Sequence, residues 1–230
     1  MFTQVPFDPT LPEFGGDEFA RNPESRCPVV LLLDVSGSMD GEPLDQLNEG
    51  LRTFQRELQS DSLAAKRVEV AVITFGPVQV LTDFQTVDRF VAPDLVAQGD
   101  TPMGTAVSRA MQLLEDRKAT YRDKGVAFYR PWIFLITDGV PTDDWEPVAA
   151  AARAANDERK FAFFAVGTEG ADFRVLNRFT SRDALRLRGL DFRRLFVWLS
   201  SSLKSVSHSQ ITDEIRLSDP TSGPQGWAIV

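Results

Sequence analysis

Histidine and cysteine each occur once in this 230-residue chain, as His208 and Cys27, and that scarcity excludes a good deal of chemistry. No Ser-His-Asp or Cys-His constellation is credible around the hydroxyl-rich turn near residue 36, because the single histidine is far from it in sequence and the single cysteine precedes the apolar run that leads into it. A single thiol forms no intrachain disulfide, which points to a reducing, cytoplasmic setting. Cys27 itself precedes an apolar run and reads as a packed thiol. A Walker A loop and a Gly-x-Gly-x-x-Gly turn after a strand are both missing, and Val35 before Ser36 rules out Gly-x-Ser-x-Gly. No apolar run approaches membrane-spanning length, and the opening Met1-Phe2-Thr3-Gln4-Val5-Pro6 has neither the basic nor the apolar region of a signal peptide. A basic excess is lacking too. With 33 Asp and Glu against 25 Lys and Arg, the net charge of −8 argues against nucleic-acid or anionic-membrane partners.

What remains is a chain with 43% hydrophobic residues, enough for one sizeable core. Residues 1–26 mix Pro, Gly and acidic residues with scattered Phe and read as an extended N-terminal arm. The domain proper is expected over 27–207. Residues 208–230 have turn composition and read as a tail that packs back on the domain or is flexible.

Within the domain, apolar runs alternate with helical periodicity. Val29 to Leu33 is apolar at every position, as a strand covered on both faces requires, and stops at Asp34. Leu44, Leu47, Leu51, Phe54 and Leu58 then fall three and four apart on one helix face. Val68 to Phe75 is the next strand, with a short hairpin partner around Val78 to Leu81. A helix follows the loop 98–102 and carries Met103, Val107, Ala110, Met111 and Leu114. Trp132 to Thr137 is a strand, Pro147 to Asn156 a helix packing through Val148, Ala151, Ala152 and Ala155, and Phe161 to Val166 a further strand. A short helix near 173–179, a brief strand at 184–187 and a last helix with Phe192, Leu195, Phe196, Leu199, Leu203 and Val206 complete the pattern. Such alternation predicts an α/β, Rossmann-like doubly wound fold with a mostly parallel central sheet and helices on both faces. In these folds ligands collect beyond the carboxyl ends of strands, at the switch in strand order.

Three polar clusters occupy that position: Asp34-Val35-Ser36-Gly37-Ser38, Asp100-Thr101-Pro102-Met103-Gly104 and Thr137-Asp138-Gly139. Alternation in Asp-x-Ser-x-Ser turns three side chains to one side of a tight turn. Asp34, Ser36, Ser38, Thr101 and Asp138 together supply hydroxyl and carboxylate oxygens, the donors a hard divalent cation takes. Mg2+ requires nearly octahedral oxygens at about 2.0–2.1 Å and keeps part of its water, while Mn2+ or Ca2+ would accept the same donors.

The stretch Asp34-Val35-Ser36-Gly37-Ser38-Met39, with Thr101 and Asp138, resembles the metal-ion-dependent adhesion site of von Willebrand factor A (VWA) domains, with all five expected positions filled. Ser38-Met39-Asp40-Gly41-Glu42-Pro43, Gly99 to Gly104 and Arg130 to Asp143 further resemble the bacterial, tellurium-resistance-associated TerY-type (YegL-like) subgroup. The resemblance covers roughly residues 27–207. It implies a non-catalytic cytoplasmic scaffold whose protein partner donates an acidic residue to the metal, in a stress-response system with kinase-like and PP2C-like phosphatase partners. Two other readings stay open: a magnesium-dependent phosphotransfer domain with Asp34 as phosphoacceptor, and a structural scaffold that acts without metal. Against the former, Ser36 stands where a second Asp would be needed, and no lysine follows the strand ending at Val166.

Neighbouring residues read more plainly. Asp40 and Asp100 are expected as solvated loop residues or caps, and Asp143 and Asp144 as caps of the helix at Pro147. Trp132 is expected to pack at a strand start, Trp145 to border an interface and His208 to lie on the surface without a partner. Arg186, Arg188, Arg193 and Arg194 read as a solvated basic helix end.

Overall fold

The computed structural model describes residues 18–222 and 226–229. The greater part of the expected N-terminal arm, residues 1–17, lies outside them. In chain order the elements are α1 (Glu18–Arg21), β1 (Cys27–Asp34), a 3-10 turn (Gly37–Met39), α2 (Glu42–Gln59), α3 (Ala64–Arg67), β2 (Val68–Phe75) and β3 (Gln79–Thr86). There follow α4 (Met103–Asp123), β4 (Trp132–Thr137), α5 (Glu146–Asp157), β5 (Ala162–Gly167), α6 (Phe173–Phe179), β6 (Leu185–Leu187), α7 (Phe192–His208) and β7 (Ala228–Ile229).

The strands form one seven-stranded sheet in the order β3-β2-β1-β4-β5-β6-β7. β1 pairs in parallel with β2 on one side and β4 on the other, and β4 with β5, while the edge strands β3 and β7 are antiparallel to their neighbours. The chain winds outward from β1 to β3, then returns to the opposite side of β1 as β4. The switch in strand order therefore falls between β1 and β4.

Strands β1, β2, β4 and β5 are buried at every residue, which is why they are apolar except near their ends rather than alternating. Successive side chains still point to opposite faces. Val29, Leu31 and Leu33 join a core with Leu51, Phe54 and Phe196 under α2 and α7. Val30 and Leu32 join a second core with Val107, Ala152 and Leu176 under α4, α5 and α6. The doubly wound α/β architecture expected from the alternation is the one observed. No helix among the described residues is long and apolar enough to cross a membrane.

The structure departs from the sequence pattern in three elements. β3 runs to Thr86 instead of stopping near Leu81, because an edge strand with half its surface in solvent tolerates Gln79, Thr82, Asp83 and Gln85 and leaves no apolar signature. α5 buries Ala149, Ala152 and Ala155 and exposes Ala151. A helix of near-identical small side chains has several equivalent faces, and only its neighbours choose among them. At the other end of the chain, Trp227 is fully buried against Trp198 at a ring separation of 5.5 Å and carries β7 onto β6.

At the amino-terminal end of the sheet, opposite the edge discussed below, an ionic cluster is sealed under α1. Arg26 and Glu69 are each 1% exposed. Arg26 Nε donates to Glu69 Oε1 at 2.8 Å, and Arg117 donates to both carboxylate oxygens at 2.8 and 2.9 Å. The Tyr121 hydroxyl also donates to Oε2, and burial together with the Glu69 charge raises the phenol well above its ordinary range. Arg117 continues to Glu18 at 2.7 Å and lies over the Phe19 ring, which ties α1 down.

Removing the shared acceptor strands two guanidinium groups away from water. Glu69→Ala is expected to cost about 3–5 kcal/mol in urea denaturation, the range for breaking a buried pair from one side. Cys27 is fully buried, and burial followed by the nearby Glu69 charge pushes its thiol up to about 12. The folded protein should therefore resist iodoacetamide at pH 8 and react at one site once unfolded, as intact mass will show.

Candidate metal centre

β1 delivers Asp34 to the carboxyl edge of the sheet, where it is fully buried, and the chain turns there at once. The Ser36 amide donates to Asp34 Oδ1 at 2.8 Å, an Asx-type turn that brings the Ser36 and Ser38 hydroxyls to 3.1 Å from each other. Ser38 Oγ donates to Asp138 Oδ1 at 2.7 Å, joining the loop after β1 to the loop after β4 across the switch in strand order. Thr137 closes the link on the buried side. Its hydroxyl donates to Asp34 Oδ2 and accepts from the Gly139 amide at 3.1 Å.

Thr101 arrives from the loop before α4, held by backbone bonds rather than by packing. Gln98 N donates to Val35 O at 2.7 Å and Gly37 N to Gly99 O at 3.0 Å. Gly99 sits at φ +70° with its α-carbon against Gly76, so close that a β-carbon would stand 2.5 Å from the Gly76 carbonyl oxygen. Thr142 brackets Thr101 from the loop after β4, donating its amide to Thr101 O at 3.0 Å and accepting from Thr101 N at 3.2 Å through its hydroxyl. A β-carbon on Gly139 would lie 3.1 Å from Thr101 Oγ1 and 3.7 Å from Asp34 Oδ2, so these oxygens border the same small space. Thr101 is 6% exposed, yet no described residue shares a hydrogen bond with its hydroxyl.

All five candidate ligands thus lie at one edge, on three loops. The set is two carboxylates and three hydroxyls. Among the described residues no group of three or more His, Cys, Asp or Glu side chains is arranged to hold a metal. Oxygen donors of this mixed kind fit a small hard cation, which would keep much of its charge if the hydroxyls bound it directly and the carboxylates through water. Burial pushes the Asp34 carboxyl above its ordinary value, against the hydrogen bonds from Ser36 and Thr137, and the nearby Asp138 charge adds to the rise.

Other residues behave differently from their sequence reading. Asp143 caps α4 instead of its own helix, its carboxylate accepting from Gly104 N at 3.0 Å and from the Thr105 amide and hydroxyl at 2.7 and 2.8 Å. Trp145 is half-buried with its ring 5.9 Å from that of Phe179, so it is partly a core residue. Trp132 packs against Phe164 at the start of β4, as anticipated. His208 has a partner after all: Asp61, at 2.9 Å. Arg186 lies over the Phe173 ring, Arg188 donates to the Ala228 and Thr221 carbonyls and Arg194 pairs with Asp191 at 3.3 Å, so three of the four basic residues are engaged with the protein. Asp40 and Asp100 are exposed. Sequence alone assigns no role to Thr137 or Thr142, although a threonine closing a fully buried apolar strand is a visible signal.

A family model described as von Willebrand factor type A domain matches residues 29–194. No curated protein matches the chain in sequence. Among solved structures it is similar to proximal thread matrix protein 1 of the mussel byssus, at 15% identity and a TM-score of 0.55, over 79% of this chain and 48% of that one. The pilus adhesin SpaC from Lactobacillus rhamnosus GG in its open conformation gives 16% identity and 0.63, over 80% of this chain and 30% of the adhesin. The SpRpn10 VWA domain gives 14% identity and 0.52, over 74% of this chain and 95% of that domain. The chain spans about half the length of the byssus protein. At these identities the likeness is one of fold.

The strain at Asp34 has a sign that can be worked out. A carboxyl whose pKa is raised by folding binds its proton more tightly in the folded state, so stability falls as pH rises through the folded value. In the presence of EDTA, Asp34→Asn is expected to melt a few degrees above the wild type at pH 7. The gain should vanish as pH falls towards the ordinary carboxylate value near ~3.9. Melting curves across pH check this, and no gain at pH 7 would contradict the account of the site.

Proposed function

Because the chain belongs to the von Willebrand factor type A family, we propose that it is a protein–protein interaction module that grips its partner through a divalent cation, Mg2+ or in its place Mn2+ or Ca2+. Asp34, Ser36, Ser38, Thr101 and Asp138 are its ligands. The observation that carries this reading is the convergence of these side chains at the β1–β4 switch point, together with the Thr101 hydroxyl that no described residue uses. When bound, such a cation offers an open coordination position to an acidic side chain of another protein. The residues around it have separate tasks. Thr137 holds the Asp34 carboxylate in place, Thr142 and Gly99 hold the Thr101 loop, and the absence of a β-carbon at Gly139 leaves the space between them open.

VWA domains are generally non-enzymatic, and this chain reads as a binder. Against phosphotransfer, Ser36 stands where a second Asp would be needed and no lysine follows the strand ending at Gly167. We read the physiological role as a cytoplasmic scaffold in a tellurium-resistance or stress-response system that brings kinase-like and PP2C-like phosphatase proteins together. The TerY-like stretches around Asp40, Thr101 and Asp138 support that reading, and the single buried thiol suits a reducing compartment. The domain is taken to span 27–207, with flanking segments at both ends.

Isothermal calorimetry with Mg2+ and Mn2+ tests the metal reading. Saturable binding is expected for the wild type, none for Asp34→Ala, and for Ser36→Ala a loss at least as large as the roughly 10–100-fold that removing an outer-sphere partner costs. Partner binding that survives EDTA and Ser36→Ala would favour a scaffold that acts without metal.

A further inference from the structure

The charge around the candidate centre is sorted more strictly than the composition of the chain requires. The segments beyond the carboxyl ends of β1, β4 and β5 and the loop leading into α4, residues 35–45, 138–147, 168–172 and 96–105, contain ten carboxylates and no lysine or arginine, in a chain with 25 Lys and Arg. Asp40, Glu42, Asp100, Asp144, Glu146 and Glu169 are exposed, and none of them forms an ion pair with another described residue. They surround the switch point from several sides: Asp40 and Glu42 after β1, Asp100 next to Thr101, Asp144 and Glu146 after β4, and Glu169 after β5, beside Gly170 at the Asp138 carbonyl. Cations at this edge begin farther along the sheet, with Arg174 paired to Asp172 at the start of α6 and Arg186 of β6 over the Phe173 ring. Others gather at the amino-terminal end with Arg26 and Arg117.

A partner that brings one carboxylate to the centre must carry it through this negative rim. Charges of like sign within a Debye length of about 8 Å repel it, and a partner with several acidic residues would be turned away. Resting on the metal reading above, we propose that the recognised segment bears a single Glu or Asp flanked by lysine or arginine, so that its carboxylate meets the cation while its flanks meet the rim. The rim then sets the specificity and steers encounter, and the centre supplies the anchor. Val140 is 53% exposed two residues beyond Asp138 and offers an apolar contact beside the anchor.

Short labelled peptides with one central Glu test this on the full chain by fluorescence anisotropy in Mg2+. Lysine flanks are expected to bind about tenfold tighter than serine flanks at low salt, with the advantage shrinking several-fold at 300 mM NaCl. Asp100→Lys and Glu169→Lys should remove most of it, and replacing the central Glu by Gln, or adding EDTA, should abolish binding. Equal affinity for lysine- and serine-flanked peptides overturns the inference and leaves the metal reading intact. Lysine-flanked binding that persists with Gln or EDTA is plain adsorption to the rim and overturns both. Binding by none of the peptides, where calorimetry still shows the cation bound, overturns the inference alone.

Discussion

The central strands are covered on both faces, and nearly everything else about the molecule follows from that constraint. β1, β2, β4 and β5 have no solvated side, so an ionisable side chain among them must be neutralised or pushed to a strand end. Polar chemistry is thereby confined to the two edges of the sheet. At the carboxyl edge the winding reverses between β1 and β4, the place where folds of this kind collect their ligands. The three loops bordering it meet there because their strands do.

The two edges solve the burial of charge in opposite ways. At the amino-terminal edge Glu69 is as buried as Asp34, but it is surrounded by Arg26, Arg117 and Tyr121, and its charge is cancelled on the spot. At the carboxyl edge Asp34 has only neutral donors, Ser36 and Thr137, and its nearest charged neighbour is another carboxylate. The first arrangement is closed and structural. The second leaves negative charge uncompensated in a rigid frame, the condition a cation site requires before its ion arrives.

Rigidity at that edge comes from backbone bonds that cross between loops. Val35 is tied to Phe75 and Gln98, Gly37 to Gly99, and Thr101 to Thr142. Asp143 then anchors the start of α4, so the helix that follows Thr101 begins at a fixed point relative to β4. The fold is shared with proteins as different as a byssus matrix protein and a pilus adhesin, which is why the argument for function has to rest on the residues of this edge and not on the architecture.

Sequence alone determined whatever is periodic or adjacent in the chain. Unbroken apolar runs marked the covered strands, three-and-four spacing marked α2, α4 and α7, and the Asp34-x-Ser36-x-Ser38 alternation placed oxygens on one side of a turn. The order of strands and helices was enough to put Thr101 and Asp138 at the same edge. Tertiary structure decided what depends on register between distant segments. Thr137 was assigned to Asp34, 103 residues away, and Asp143 to Gly104 and Thr105 rather than to its own helix. Packing selected Ala149 over Ala151 as the buried face of α5, lengthened β3 to Thr86, and drew Trp227 and β7 onto the sheet. Periodicity is a property of one segment, whereas these choices are made by a neighbour that the segment itself does not encode.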